Sequence, residues 1–155
     1  LINEKTKSER IISPILTEIA VLFSNEITLY SGTDLVVDES KDLNGACDFF
    51  LAKHSLKQVM QVPIITLAEA KDEDMDYGQG QCLAQMYAAQ LFNEQNGKSQ
   101  KIIYGCVTNA FSWCFLKLET THLLIDPNYI PLTFAEPQRV LTILQWIIDD
   151  SLKID

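Results

Sequence analysis

The stretch Val62–Lys71, VPIITLAEAK, decides how this chain is read. Its apolar, β-branched body reads as a buried strand, and its far end abruptly carries a carboxylate, a small residue and an ammonium. Strand side chains alternate between faces, so a strand running through Lys71 would put Glu69 and Lys71 on one face and Ala70 on the other. A second acid, Asp48, stands in another apolar run, GACDFFLA. Burying a carboxylate there is costly unless it is paired or coordinated. Two arrangements meet that demand: a structural ion pair between Asp48 and Lys71, or a metal site built from Asp48 and Glu69.

Upstream, Ser13-Pro14 reads as a helix start, with Ile15, Leu16, Ile19, Leu22 and Phe23 at helical spacing and Glu18 on the solvated edge. Residues 1–10 are polar and loosely helical at most. Glu26–Val37 is strand-like with a bend at Ser31-Gly32. The run Asp38–Gly45 is turn-like, Asn44-Gly45 is a hairpin signal, and Ala46–Ala52 is the returning antiparallel strand. Lys53–Gln61 is a looser connection into Val62.

Downstream, Asp72-Glu73-Asp74-Met75-Asp76 reads as an acidic loop, followed by a helix from Gln81 to Asn96 that stops at Asn96-Gly97. Gln81 and Gln85 share one face of that helix. Lys101–Val107 is a strand buried on both faces, and Thr108-Asn109-Ala110 turns the chain into a strand at Phe111–Glu119. A short strand follows at Leu123–Ile125. Thr133–Glu136 resembles a capping box before a helix packed through Val140, Leu141, Leu144, Ile147 and Ile148. Trp113, Trp146 and the phenylalanines read as core residues rather than base-stacking groups. The order of elements gives an α/β (α+β) fold, a central mixed β-sheet flanked by helices, with residues 1–155 as a single domain.

The 155 residues are 47% hydrophobic and 21% charged, an ordinary globular composition rather than a disordered one. The longest apolar stretch, Ile11–Phe23, is interrupted by Ser13, Pro14, Thr17 and Glu18, so no membrane span is expected. Four cysteines without C-x-x-C spacing and two distant histidines argue against zinc. With no secretory leader read at the N-terminus, buried reduced thiols set the expectation of a cytoplasmic protein. A net charge of −9 weighs against broad nucleic-acid binding surfaces, though a local site can override it.

Phosphodiester hydrolysis develops negative charge on the attacking and leaving oxygens, which Mg²⁺ held by carboxylates relieves. Asp48 and Glu69 on adjacent strands could hold Mg²⁺ or Mn²⁺, the Ala70 carbonyl could complete the shell, and Lys71 could steady the water or the phosphate. Asp48, then Glu69-Ala70-Lys71, then a helix opening with Gln81 resembles the restriction-endonuclease-like nuclease superfamily, whose signature is written PD-(D/E)xK. Its core, a helix, a three-stranded meander, a helix and a strand, has the same order of elements. The stretch KIIYGCVTNAFSWCFLKLE resembles the corresponding segment of type I restriction-enzyme nuclease domains.

The resemblance spans residues 11–119 and implies a Mg-dependent endonuclease-like domain, with Asp48 and Glu69 as metal ligands and Lys71 assisting catalysis. It implies that Glu18 is the first-helix acid that Holliday-junction resolvases use as an extra ligand. Gln81 matches the helix glutamine beside the site, with Gln85 as a second candidate. Nucleic acid, DNA first, is the implied partner, and a homodimer is compatible with cutting both strands. Two departures stand out: Cys47 in place of the signature proline, and the acidic run after Lys71. A catalytically inactive nuclease-fold scaffold is the alternative.

Overall fold

In a computed structural model, the chain is described over residues 3–32, 34–36, 44–54, 62–98 and 101–153. An N-terminal helical stretch comprises α1 (Glu4–Lys7), one π-helical turn (Ser8–Ile12) and α2 (Ser13–Leu22) without a break. The strands are β1 (Ile27–Ser31), β2 (Asp34–Val36), β3 (Asn44–Ala46), β4 (Phe49–Lys53) and β5 (Val62–Glu69). A single 3-10 turn (Lys71–Glu73) leads into α3 (Met75–Gln95). β6 (Ile102–Thr108), β7 (Ser112–Glu119), β8 (His122–Ile125), β9 (Ile130–Pro131) and α4 (Gln138–Leu152) complete the order.

The main sheet is mixed and has seven strands, in the order β1-β4-β5-β6-β7-β8 with β9 beside β7. β1, β4 and β5 form an antiparallel meander, α3 crosses over, and β6 lies parallel to β5. A parallel neighbour requires such a crossover. β2 and β3 pair separately, and the Gly32 N–H donates to the Asp48 carbonyl at 3.1 Å where both strands break. Gly32, at φ +64°, takes the bend foreseen at Ser31-Gly32. Asn44-Gly45 is not a turn: it pairs with Val36 and Leu35 inside the ladder. The connection that was sought there falls in residues 37–43, and the loose connection falls mostly in 55–61, both outside the described residues.

One face of the sheet carries the N-terminal helix and α4, packed through Ile12, Leu16, Ile19, Val140, Leu144 and Ile148 onto Leu67, Cys106 and Trp113. The other carries α3, packed through Cys82, Met86 and Ala89 onto Ala68, Ile103 and Val107. Alternation along β6 divides these residues between the faces. Helix and sheet approach so closely on the α3 side that a Cβ on Gly78 would lie 2.6 Å from Val107 Cγ1. One on Gly105 would meet Met86 Sδ and lie 2.8 Å from Cys82 Sγ.

The helix starts differ from the sequence reading. Ser13 is mid-helix, and Pro14 is accommodated after a π turn in which the Ser13 N–H reaches back to the Ser8 carbonyl. The true start is capped by Asn3, whose side chain accepts the Thr6 N–H at 2.8 Å. α3 begins at Met75, six residues before Gln81, because Asp74 accepts the Tyr77 N–H at 3.0 Å and caps it. Thr133 does accept the Glu136 N–H, yet α4 starts only after Pro137; the residue before a proline is disfavoured in helical conformation. Trp146 is 60% exposed, edge-on to Tyr104, whereas Trp113 is fully buried.

Candidate functional site

The strand that carries Glu69 is buried from Pro63 through Ala68, and its last residue is half-buried. Asp48 sits in the bend immediately before β4, also half-buried rather than inside the strand. Its Oδ2 accepts the backbone N–H of Glu69 at 2.9 Å, so the two acids expected together are together. The β4–β5 register, Phe49 opposite Leu67, sets the bend beside the end of β5. The Ala70 N–H donates to the Thr108 carbonyl at 2.8 Å, tying the following peptide to β6.

Glu69 follows the alternation of Ile65 and Leu67, so its carboxylate lies on the face covered by the N-terminal helix. There Ser8, in the π turn, donates its hydroxyl to Glu69 Oε1 at 2.7 Å. Burial holds the Glu69 carboxyl above its ordinary 4.5; the Ser8 hydrogen bond opposes that shift, and the negative charges of Asp48 and then Glu4 add to it. Among the described residues no cluster of three or more His, Cys, Asp or Glu is arranged to hold a metal. The protein offers a carboxylate pair with a third acid, Glu4, within electrostatic reach.

Glu18 is exposed on α2, ten residues beyond Ser8, or about 15 Å along a helix axis. The first-helix acid that reaches the pair electrostatically is Glu4 instead. The sequence holds a signal for it: Asn3 before Glu4 has the form of a helix start. Ser8 had no local signal, since its partner is 61 residues away.

Lys71 does not extend the strand. β5 ends at Glu69, Ala70 is the hinge, and Lys71 opens the 3-10 turn with its side chain exposed. Strand alternation therefore does not align it with Glu69, and its side chain forms no ion pair with Asp48 or Glu69 among the described residues. Just beyond, Glu73 sits at φ 61°, a region unfavourable to residues with a Cβ. Its carboxylate pairs with Lys7 at 3.4 Å.

Gln81 is half-buried on α3, with no hydrogen bond to Asp48 or Glu69 among the described residues; Gln85 is buried on the same helix. That helix packs on the face opposite the Glu69 side chain. The acidic run after Lys71 proves to be the 3-10 turn, the α3 cap and the first helical turn, where the helix dipole favours negative charge. No described helix is long and apolar enough to cross a membrane. A scan of protein-family models and searches of curated proteins and solved structures gave no match to this chain.

Proposed function

We propose that this chain is a metal-dependent nuclease domain of the PD-(D/E)xK type, hydrolysing phosphodiester bonds of nucleic acid with Mg²⁺ or Mn²⁺. The observation that carries the reading is the Asp48–Glu69 contact at the end of β5. Each carboxylate has one oxygen engaged, Asp48 Oδ2 by the Glu69 N–H and Glu69 Oε1 by Ser8, leaving Oδ1 and Oε2 for a cation. Two carboxylates suit Mg²⁺, which commonly keeps several waters and takes substrate phosphate oxygens as well. Repulsion among Glu69, Asp48 and Glu4 is the electrostatic condition a divalent ion would relieve.

The order of a helical stretch, an antiparallel meander, a crossover helix and a parallel strand agrees with a restriction-endonuclease-like core. On that resemblance Asp48, just before β4, and Glu69, at the end of β5, would be the metal ligands. A bound metal would polarise the phosphate and lower the pKa of a coordinated water. The chain's part is to fix the carboxylates through the Glu69 N–H and Ser8, to offer the Ala70 carbonyl beside them, and to supply Lys71 from the adjoining turn once phosphate is present. Gln81 and Glu18 contribute less on this geometry than the resemblance implies. DNA is the first substrate to try, and the assembly to check is a homodimer.

Asp48→Ala and Glu69→Ala should each reduce Mg²⁺-dependent cleavage of plasmid and oligonucleotide substrates to background, and Lys71→Ala should reduce it strongly. Cleavage that survives both acid substitutions would refute the assignment. The exposed position of Lys71 favours one other reading, an inactive scaffold of the same fold. That reading requires no divalent-ion affinity, so a rise in melting temperature with millimolar Mg²⁺ or Mn²⁺ would exclude it.

A further inference from the structure

The same helical stretch that touches Glu69 borders an apolar groove on its other flank. The groove has a volume of about 420 Å³ and runs between Ile11, Pro14 and Ile15 on one side and Phe111, Phe134 and Leu141 on the other. That volume lies within the range of small-ligand sites. Two aromatic rings stand open there: Phe111 is 43% exposed, and Phe134 is fully exposed.

Phe111 is held by its backbone. Its N–H donates to Asn109 Oδ1 at 3.0 Å, and its carbonyl accepts the Leu132 N–H at 2.8 Å. A ring presented on so fixed a turn loses little freedom when something stacks on it.

Among the described residues, the one charged residue lining this groove is a cation, against the acidic balance of the chain as a whole, while Lys7 nearby is paired with Glu73. Arg10 lines it and forms no hydrogen bond or ion pair among the described residues, whereas Arg139 lies 4.0 Å from Glu136. Lys7 lies 5.8 Å from the centre of the Phe111 ring. Arg10 is two residues from Ser8, which bonds Glu69, and two residues carry a helix about half a turn round, so groove and carboxylate pair lie on opposite flanks of one helix, about 10–12 Å across with its side chains. Flat apolar rings beside a guanidinium, across one helix from the carboxylate pair, match an unpaired base and its adjoining phosphate.

We propose that this groove seats unpaired bases of a single-stranded nucleic acid, stacking them on Phe111 and Phe134 with Arg10 against the neighbouring phosphate. The substrate of the nuclease would then be a single strand or an unpaired end rather than a continuous duplex, whose bases are sequestered in the stack. The choice of nucleic acid as occupant rests on the nuclease reading above.

Fluorescence anisotropy with a labelled oligothymidylate and with a duplex of equal length, in calcium buffer, tests it. Wild type should bind the single strand more tightly. Phe111→Ala and Phe134→Ala should each weaken that binding by roughly 5- to 150-fold, the effect of losing one stacked base. Phe111→Trp should retain it, and Arg10→Ala should weaken it and flatten its salt dependence. Both rings are exposed, and unchanged melting temperatures will verify that the variants fold.

Absent single-strand binding, equal preference for duplex, or binding indifferent to both phenylalanines would overturn the proposal. Cleavage by wild type that Phe111→Ala and Phe134→Ala leave untouched would remove the base site and keep the nuclease. Ring-dependent binding without any cleavage would keep the base site and remove the hydrolysis.

Discussion

The two faces of the central sheet use the same strands to opposite ends. On the α3 face, small residues and glycines bring helix and sheet into near contact, with Gly78 against Val107 and Gly105 against Met86 and Cys82. Burial pushes the Cys82 thiol up to about 12 there, and it raises Cys106 on the opposite face as well, so the interior of either face excludes charge. On the opposite face, at the end of β5, Asp48 and Glu69 meet, with Ser8 of the N-terminal helical stretch bonded to Glu69 and Glu4 within electrostatic reach. Tight packing thus occupies one side, while the other side accepts repelling carboxylates at its margin. Such concentration of electrostatic cost at one strand end is a common mark of a functional site.

The contrast can be broken experimentally from either side. The largest effect is expected from Ser8→Ala on the polar face. On the proposed nuclease reading Ser8 orients a metal-binding carboxylate, and loss of such a group typically costs 10–100-fold in activity or metal affinity, so the variant should cleave about that much more slowly. On that reading, unchanged kinetics in Ser8→Ala would mean that Glu69 is positioned by β5 alone.

On the α3 face, Gly78→Ala should destabilise by about 1–3 kcal/mol in urea unfolding, and so should Gly105→Ala, because the added methyl has no room. For Gly78 this reverses the ordinary helix preference for alanine over glycine. A gain in stability would show that the Val107 side chain moves aside.

The smallest effect concerns the carboxylate itself. Folded Glu69 binds its proton more tightly than an unfolded glutamate, so wild-type stability falls as pH rises from 4.5 through the raised value. Metal-free Glu69→Gln avoids that loss, and should melt higher than wild type at neutral pH and the same below 4.5. Differential scanning calorimetry across that range checks it; a lower melting temperature at neutral pH would contradict the burial argument.

Much of this arrangement could be read from the chain because it is local. The apolar run before Glu69, the buried strand read at Lys101–Val107 and the Asn96-Gly97 stop are matters of neighbouring residues, and the structure has them within a residue of those places, the strand at Ile102–Thr108. From the sequence, Asp48 reads as lying inside a strand, Ala46–Ala52, beside the one that carries Glu69; the two do meet, but with Asp48 in the bend before β4. What escaped was decided at a distance or by competition between local signals. Ser13-Pro14 has the form of a helix start, but the Asn3 cap begins the helix earlier and a π turn carries it past the proline.

Lys71 was assigned to the strand because periodicity has no marker for where the ladder stops, and β6 offers its last partner at Thr108 opposite Glu69. The acidic run looked like a repellent loop because Asp74 is a helix cap only when the helix behind it is recognised to start at Met75. Glu4 and Ser8 were missed because nothing near them in sequence announces Glu69.

The π turn at Ser8–Ile12 has a further consequence, in the language of insertion and deletion. Such a turn is an α-helix holding one residue too many, so deleting any one residue within it would restore regular winding without unfolding the helix. The wide turn is what absorbs the extra residue, so the residues before the deletion would keep their facing around the axis while α2 kept its seat on the sheet. What the deletion would remove is the wide turn that sets Ser8 against Glu69.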